Sequence, residues 1–337
     1  MRKPPELVVT LAPLLVIVLV LAGVGVAFGL TGNDGHRANA SASAPTTPPA
    51  TTPPPTPVIT PSRAPDIPIS KDLLRNVRKQ LDTLPAFRFQ IATLNVLGNS
   101  HTVAGGDRAE YADSATRMGW ALQALQEASA DVVGFQEMQA PQYAAFRART
   151  GSRWDSWPGL AVNQDAVDNT LAWDTSTFRA VERETIAIPY FFGRTRQMPY
   201  VLLENVQTRQ RIWVANFHNP AHKYGATQAR WRREATAREI ALVNKLAAQT
   251  GYPVFVTGDM NERQEYCSPV TASTDLRWAG GSCSSGRMPV DFILGSSRVG
   301  FADYTIRDRG VLGRVTDHPL VYATATVPES RAPSLTK

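Results

Sequence analysis

A segment rich in proline, threonine and alanine at residues 31–70 limits where this 337-residue chain can fold. Prolines favour extended polyproline II, and a segment with so few large apolar side chains cannot bury enough surface to fold. We therefore interpret residues 31–70 as a disordered linker, with a proline-rich docking motif as the alternative. The globular part of the chain is then expected after the linker, and we place one domain at residues 71–330.

One long apolar run precedes the linker. Residues 7–30 contain no charged side chain, and as a helix they would extend about 36 Å, enough to cross a hydrocarbon core of about 30 Å. Arg2 and Lys3 come before the run, so the positive-inside rule makes residues 1–6 a cytoplasmic tail and exports the domain. We predict a single-pass transmembrane helix in the cell membrane with an extracellular domain. The alternative is a cleaved signal peptide and a secreted protein.

Composition excludes several classes of protein. The chain is 43% hydrophobic and 19% charged, with a formal net charge of +6, so it has enough apolar material for a core. Its two cysteines exclude a four-cysteine zinc site and a disulfide-rich miniprotein. In an exported protein, Cys267 and Cys283 most simply form a disulfide that closes a loop. Arginine supplies most of the positive charge, which suits phosphate recognition but also follows from a GC-rich coding sequence.

Short apolar runs alternate with segments of helical periodicity after the linker. Residues 107–130 and 226–249 repeat apolar side chains at steps of three and four, which predicts two helices. The runs that predict strands lie at residues 89–96, 131–137, 170–173, 184–192, 200–206, 211–217, 252–259, 290–295 and 320–327. The turn residues 207–210 favour a hairpin between two of them. Strands interspersed with helices favour a layered, mixed α/β fold.

Acidic, amide and histidine side chains recur where these predicted strands begin or end. The set consists of Asn95, Glu137, His218, Asp259, Asn261, Asp291, Asp317 and His318. Taken singly, they have ordinary alternatives: Asn95 could cap a turn, Glu137 could begin a helix and His218 could fill a core position. Asp259 could form an Asx-turn with its own backbone. Because strand ends converge on one edge of a layered α/β fold, we expect the set to share a cleft.

The motifs around these residues, taken together, resemble the endonuclease/exonuclease/phosphatase family. The matching motifs are Asn95 in IATLNVLG, Glu137 in GFQEM, His218 in ANFHN, residues 258–261 as GDMN, Asp291 in VDFIL and residues 316–318 as TDH. The resemblance covers about residues 89–327. It implies a four-layer α/β sandwich in which two central mixed β-sheets are flanked by helices. It also implies metal-dependent phosphoester hydrolysis at one end of the sheets.

The resemblance also implies a ligand set and a substrate contact. Glu137 is expected to be the main ligand of a divalent cation, with Asn95 and Asp317 completing its surroundings. Carboxylate and amide oxygens suit a hard cation, so Mg²⁺ is expected, with Mn²⁺ or Ca²⁺ as alternatives. Asn169, in VDNTLAW, falls where family members often place a substrate-binding asparagine.

The remaining residues of the set are expected to be catalytic. Asp259 would orient or deprotonate the attacking water, and Asn261 would donate to a phosphoryl oxygen. Asp291 would fix the tautomer of His318. His218 would donate to the phosphate or protonate the leaving oxygen, and the motifs do not distinguish the roles of the two histidines.

The substrate stays open among several phosphoesters. Nuclease relatives often carry an arginine where Gln139 stands, which weakens a specific deoxyribonuclease I reading. Arg194 and Arg196, beside the aromatic residues 190–192, would suit nucleic acid, a lipid surface or simple core packing. We predict an exported, membrane-anchored phosphodiesterase of nuclease type with a monomeric catalytic domain. The alternatives are a sphingomyelinase-like phospholipid esterase, a sugar-phosphate esterase and an inactive surface binding protein.

Overall fold

The structure is a computed structural model of the chain. It describes residues 83–225, 227–284, 286 and 288–331, together with Ser70 and Asp72. The predicted cytoplasmic tail and transmembrane helix lie outside these residues, and so does the predicted linker apart from its last residue. Within the part of the chain that the structure describes, no helix has the length and apolar character that a membrane crossing requires.

Two six-stranded sheets form the centre of the fold. In spatial order the first contains β12 (Gly300–Arg307), β13 (Leu320–Val327), β2 (Phe87–Asn95), β3 (Val132–Gln136), β5 (Leu171–Asp174) and β4 (Trp154–Trp157). The second contains β10 (Leu276–Trp278), β11 (Asp291–Ser296), β9 (Val254–Asp259), β8 (Arg211–His218), β7 (Thr195–Asn205) and β6 (Phe178–Pro189). Each sheet is antiparallel except for one parallel pair, β2 with β3 and β8 with β9.

Helices and short turns complete the described chain. The helices are α1 (Asn99–Thr102), α2 (Ser114–Glu127), α3 (Ala140–Thr150), α4 (Thr227–Thr250), α5 (Gln264–Ser273) and α6 (Leu312–Val315). Two 3₁₀ turns cover Val167–Asn169 and Phe191–Gly193. A separate two-stranded ribbon pairs β1 (Thr83–Leu84) with β14 (Ser330–Arg331).

Alternation along the strands assigns each sheet face to a different apolar cluster. Phe89 and Ile91 of β2 pack into a cluster shared with strands of the second sheet, whereas Ala92 and Leu94 pack with α2 and α3. Successive strand residues point to opposite faces, so the first two lie between the sheets and the others beneath helices. Leu242 of α4 packs against the other sheet. The predicted α/β fold with two mixed central sheets flanked by helices is confirmed.

Two predicted elements have different bounds in the structure. The helix predicted over residues 107–130 begins only at Ser114, because the Asp113 carboxylate accepts hydrogen bonds from the backbone N–H groups of Ala115 and Thr116 and caps it. The strand predicted over residues 184–192 ends at Pro189, and the chain then turns. Strand β12 was not predicted, because its mostly exposed side chains leave no apolar run.

The predicted disulfide is confirmed. Cys267, in α5, is bonded to Cys283 in the loop before β11, with the two Cα atoms 5.6 Å apart. The bond ties this loop to a helix that packs on the second sheet.

Candidate active site

Three residues of the predicted set occupy paired positions on neighbouring strands of the second sheet. Asp259, the last residue of β9, lies opposite His218 of β8 in the parallel pair and opposite Asp291 of β11 in the antiparallel pair. The sheet register alone therefore brings these three side chains to one edge. On the first sheet, Asn95 ends β2 and Glu137 follows β3 directly, so both sheets deliver polar residues to the same end of the fold.

Asn95 joins the two sheets at this edge. Its side-chain Nδ2 donates to Glu137 Oε1 at 3.0 Å and to Asp259 Oδ2 at 3.1 Å. Its Oδ1 accepts from the backbone N–H of Leu97 at 3.0 Å, which fixes the amide orientation. A single amide thus holds the predicted cation ligand and the predicted base close together.

Asp259 is the centre of the arrangement and is almost completely buried, with 1% of its surface exposed. Its Oδ2 lies 3.6 Å from Nε2 of both His218 and His318, and its Oδ1 accepts from the backbone N–H of Asn261 at 3.0 Å. Burial raises the pKa of Asp259, and the facing histidines offset part of this effect. A buried carboxylate of this kind accepts a proton more readily than an exposed one.

The pKa values of the two histidines beside Asp259 shift in opposite directions. Burial lowers the pKa of His218, and Asp259 and Glu137 offset part of this effect. Burial acts in the same direction on His318, but Asp259 and Asp291 outweigh it and raise the pKa of His318 to about 10. His318 Nδ1 lies 3.1 Å from Asp291 Oδ1, so the charged ring donates to Asp291. Neighbouring titratable groups whose pKa values are shifted in opposite directions are typical of sites that contain a proton donor and a proton acceptor.

Glu137 is the most accessible of these carboxylates, with 23% of its side chain exposed. Its Oε2 accepts from the backbone N–H of Gly98 at 2.9 Å, and His101 Nε2 lies 3.6 Å from the same oxygen. Burial would raise the pKa of Glu137, but His218, Gly98 and Asn95 outweigh it and leave that pKa below its usual value. An ionised carboxylate fits a hard divalent cation, whereas Asn95 turns its Nδ2 toward Glu137 and its oxygen toward the backbone N–H of Leu97.

A second group of side chains could also hold a cation. Ligand atoms of Asp259, Asp291 and His318 all lie within 4.8 Å of one another. Protonated His318 already supplies positive charge there, whereas Glu137 is partly exposed and lies 3.6 Å from His101 Nε2.

Two predicted residues lie at the margin of the site. Asp317 has 37% of its side chain exposed and pairs with Arg108 Nε at 3.5 Å, so its contact is with the outer rim. Asn169 is fully buried, and neither polar atom of its side chain has a hydrogen-bond partner among the described residues. Leaving a buried amide unpaired costs about 1–3 kcal/mol, and the predicted substrate contact of Asn169 stays a prediction.

Asn261 has a left-handed backbone, with φ of 52°. Its Nδ2 donates to the backbone carbonyl of Asn219 at 2.8 Å, which uses one of its two N–H bonds. The predicted contact of Asn261 with a phosphoryl oxygen would use the other N–H bond and stays a prediction.

His101 and Arg117 contribute to the site, and sequence reasoning missed both. His101 Nδ1 lies 2.6 Å from Asp107 Oδ1, which orients the ring toward Glu137. The sequence did offer a signal for His101: it is one of only five histidines in the chain and lies six residues after Asn95. Arg117 gave no such signal, because it falls within the helical periodicity of α2.

Arg117 is fully buried and fixes two segments that carry site residues. It donates to the carbonyls of Val96 and Leu97, which follow Asn95, and to the carbonyl of Val315, which precedes the loop of His318. We expect Arg117→Met to lower the free energy of unfolding by about 3 kcal/mol or more, because it leaves buried carbonyls unpaired. Urea denaturation measures this loss, and the same substitution at Arg309, which is 94% exposed, should cost little. A loss below about 1 kcal/mol for Arg117→Met would contradict this role.

Glu239, in α4, is a buried carboxyl behind the site. Burial raises its pKa to about 8, and the neighbouring side chains of Tyr266 and Asn219 offset only part of this. The folded protein keeps this proton at pH values where the unfolded chain has lost it. The stabilisation is therefore complete below about pH 4.5 and is lost as the pH rises toward 8, at about 1.4 kcal/mol per pH unit.

Glu239→Gln should remove this pH dependence, because the amide does not titrate. Between pH 5 and pH 8 wild type should lose about 3 kcal/mol or more of its free energy of unfolding through Glu239, and the variant should not. Denaturant unfolding at the two pH values measures the difference. Glu234→Gln is the matched control on the same helix, since Glu234 is 42% exposed and pairs with Arg238. Parallel curves for Glu239→Gln and wild type would show that Glu239 is ionised in the folded protein.

Comparisons with known proteins agree with this geometry. The model of the Endonuclease/Exonuclease/phosphatase family matches residues 92–318. A comparison with curated proteins gives no match.

Several solved structures have the same fold. A family protein from Bacteroides thetaiotaomicron is 15% identical, with 72% of this chain and 98% of that chain covered and a TM-score of 0.57. A mannosyl-6-phosphatase from the same organism is 16% identical, with 70% and 99% covered and a TM-score of 0.56. The catalytic domain of human Nocturnin, with bound sulfate, is 14% identical, with 73% and 95% covered and a TM-score of 0.54.

Proposed function

We propose a hydrolytic function from the premise that this chain belongs to the endonuclease/exonuclease/phosphatase family, whose members are phosphoesterases. The function that fits the site best is divalent-metal-dependent hydrolysis of phosphodiesters by water. One observation carries this proposal: the buried Asp259 carboxylate lies 3.6 Å from Nε2 of both His218 and His318, while Asn95 links it to Glu137.

The donor set fits a hard cation. Glu137 would hold it, with Asn95 keeping the carboxylate in place, and Mg²⁺ is the expected ion. When bound, such an ion supplies positive charge that stabilises the phosphoryl oxygens and the leaving oxygen.

The chain's own residues supply the proton transfers. Asp259 takes a proton from the attacking water while the new bond from the water oxygen to phosphorus forms. As the bond from phosphorus to the leaving oxygen breaks, His318 gives that oxygen the proton on Nε2. Asp291 holds the charged ring in place through Nδ1. The products are a phosphomonoester and an alcohol, and Asp259 can return its proton to His318 across 3.6 Å.

Two neutral groups would bind the phosphate. Asn261 has one side-chain N–H left for a phosphoryl oxygen, and Asn169 has an amide with no partner within the described structure. Donors fixed in a buried site stabilise developing charge more strongly than mobile donors in water.

Export and membrane anchoring are part of the proposal. The disulfide between Cys267 and Cys283 supports an oxidising compartment, and the apolar residues 7–30 support a membrane anchor. The orientation of the chain across the membrane can be tested with a cysteine introduced at Ser70. Intact cells are treated with a membrane-impermeant alkylating reagent. Labelling supports export, and protection until lysis contradicts it.

The activity is tested with bis(p-nitrophenyl) phosphate and the purified full-length chain. We expect hydrolysis with Mg²⁺, loss of hydrolysis with EDTA and recovery when Mg²⁺ is restored in excess. Asp259→Ala should be inactive throughout. No hydrolysis with Mg²⁺, Mn²⁺ or Ca²⁺ would instead support a surface binding protein that keeps the fold without turnover.

A further inference from the structure

Two exposed aromatic rings lie beside the candidate active site. Phe192, in the turn after β6, is 63% exposed, and Tyr224, in the loop after β8, is 54% exposed. Their ring centroids are 5.1 Å apart, and Phe191 contacts Tyr224 at 5.2 Å. We call Phe191, Phe192 and Tyr224 the aromatic platform.

A chain of ring contacts connects the aromatic platform to the catalytic centre. The Tyr190 ring contacts His218 at a centroid distance of 5.7 Å and Phe191 at 4.6 Å. The aromatic surface therefore starts at a histidine that faces Asp259 and continues outward to Phe192. A molecule whose phosphate lies in the site would reach the platform with its adjoining part.

The segments that carry the platform are positively charged. Residues 190–197 and 219–233 contain no acidic residue. Their cations are Arg194, Arg196, Lys223, Arg230, Arg232 and Arg233. Arg196 pairs with Asp168 and Arg232 with Glu262, and Lys223 Nζ lies 5.9 Å from the Tyr224 ring. Arg232 is buried, but Arg194, Lys223, Arg230 and Arg233 are exposed, and their charge complements a polyanion.

The backbone holds the exposed rings in place at a cost. Phe192 and Tyr224 have φ of 58° and 75°, a left-handed conformation that bulky residues seldom adopt. The backbone N–H of Phe192 donates to Gln228 Oε1 at 3.3 Å, and the Trp231 ring lies so close to Gly193 that a Cβ there would approach it to 2.6 Å. Strained residues of this kind concentrate at functional sites.

We propose that the aromatic platform stacks against the bases of a single-stranded nucleic acid whose phosphodiester occupies the active site. The proposal rests on the proposed function and names its substrate class. Aromatic faces beside cations that follow a phosphate backbone are the means by which proteins bind single strands without sequence preference. A lipid surface could also bind to cations and aromatic rings, but two exposed rings offer it little apolar area. The ring contacts also continue from the platform to His218 in the active site, which favours a ligand that extends into the site.

Binding of labelled oligonucleotides to the full-length chain in detergent and EDTA tests the proposal without turnover. The ligands are a 12-nucleotide single-stranded DNA and an abasic strand of equal length and charge, and fluorescence anisotropy reports affinity. Phe192→Asn combined with Tyr224→Asn removes the rings, since asparagine tolerates the left-handed backbone. We expect this variant to bind the DNA about 10-fold or more weakly and the abasic strand as wild type does.

Two further variants separate stacking from general damage. Tyr224→Phe keeps the ring and should bind as wild type does, and Ile306→Asn changes a 42% exposed residue on β12 and should do the same. The proposal is overturned if wild type does not bind the DNA, or if the double variant binds it unchanged or loses both strands equally. It is also overturned if the double variant loses only binding to anionic phospholipid mixed micelles. Hydrolysis of bis(p-nitrophenyl) phosphate by wild type reports on the proposed function separately.

Discussion

Asp259→Asn should lower kcat for bis(p-nitrophenyl) phosphate by about 10³- to 10⁴-fold. Asparagine has nearly the same shape and can keep one of the two hydrogen bonds that Asp259 accepts, from the Asn95 side chain and from the backbone N–H of Asn261. It cannot accept the proton of the attacking water, and it no longer balances the charge of His318. Steady-state kinetics at saturating Mg²⁺ measure the effect, which should fall on kcat more than on KM.

Asp303→Asn is the matched control, because Asp303 lies exposed on β12 and has a left-handed backbone that asparagine tolerates. This variant should keep the wild-type rate. If Asp259→Asn kept more than about a tenth of that rate, Asp259 could not be the base.

Glu137→Gln should weaken binding of the divalent cation by about 100-fold or more and reduce activity at low Mg²⁺ accordingly. The substitution keeps a side chain of the same size but removes the ionised carboxylate that Asn95 and the backbone N–H of Gly98 hold in place. Electron paramagnetic resonance of Mn²⁺ gives the affinity directly, without relying on turnover.

Glu110→Gln removes an exposed carboxylate and should leave Mn²⁺ affinity unchanged. Equal Mn²⁺ affinity of wild type and Glu137→Gln would move the cation to another position. The group formed by Asp259, Asp291 and His318 would then become the leading candidate.

The sequence predicted which polar residues lie together better than it predicted what surrounds them. Asn95, Glu137, His218, Asp259 and Asp291 lie at strand ends, and strand ends are what apolar runs locate well. Strands β8 and β9 pair in parallel, and their register places His218 opposite Asp259. This is why a set spread over two hundred residues could be expected in one cleft.

Other features depend on tertiary contacts that leave no local pattern. Arg117 lies within the helical periodicity of α2, and only the packed structure surrounds it with backbone carbonyls. The platform joins Phe192 to Tyr224, which come from separate loops. The apolar pattern continues upstream of Ser114 and predicted an earlier start of α2, at residue 107. The helix begins at Ser114 because the Asp113 side chain caps it there.

A crystal of the protein soaked with Mn²⁺ and a nucleoside monophosphate tests the central claim most directly. The account predicts an anomalous peak about 2.2 Å from a Glu137 carboxylate oxygen, with the phosphate bound between that ion, Asn261 and His318. An ion distant from Glu137, or a phosphate that contacts neither Asp259 nor the two histidines beside it, would contradict the account.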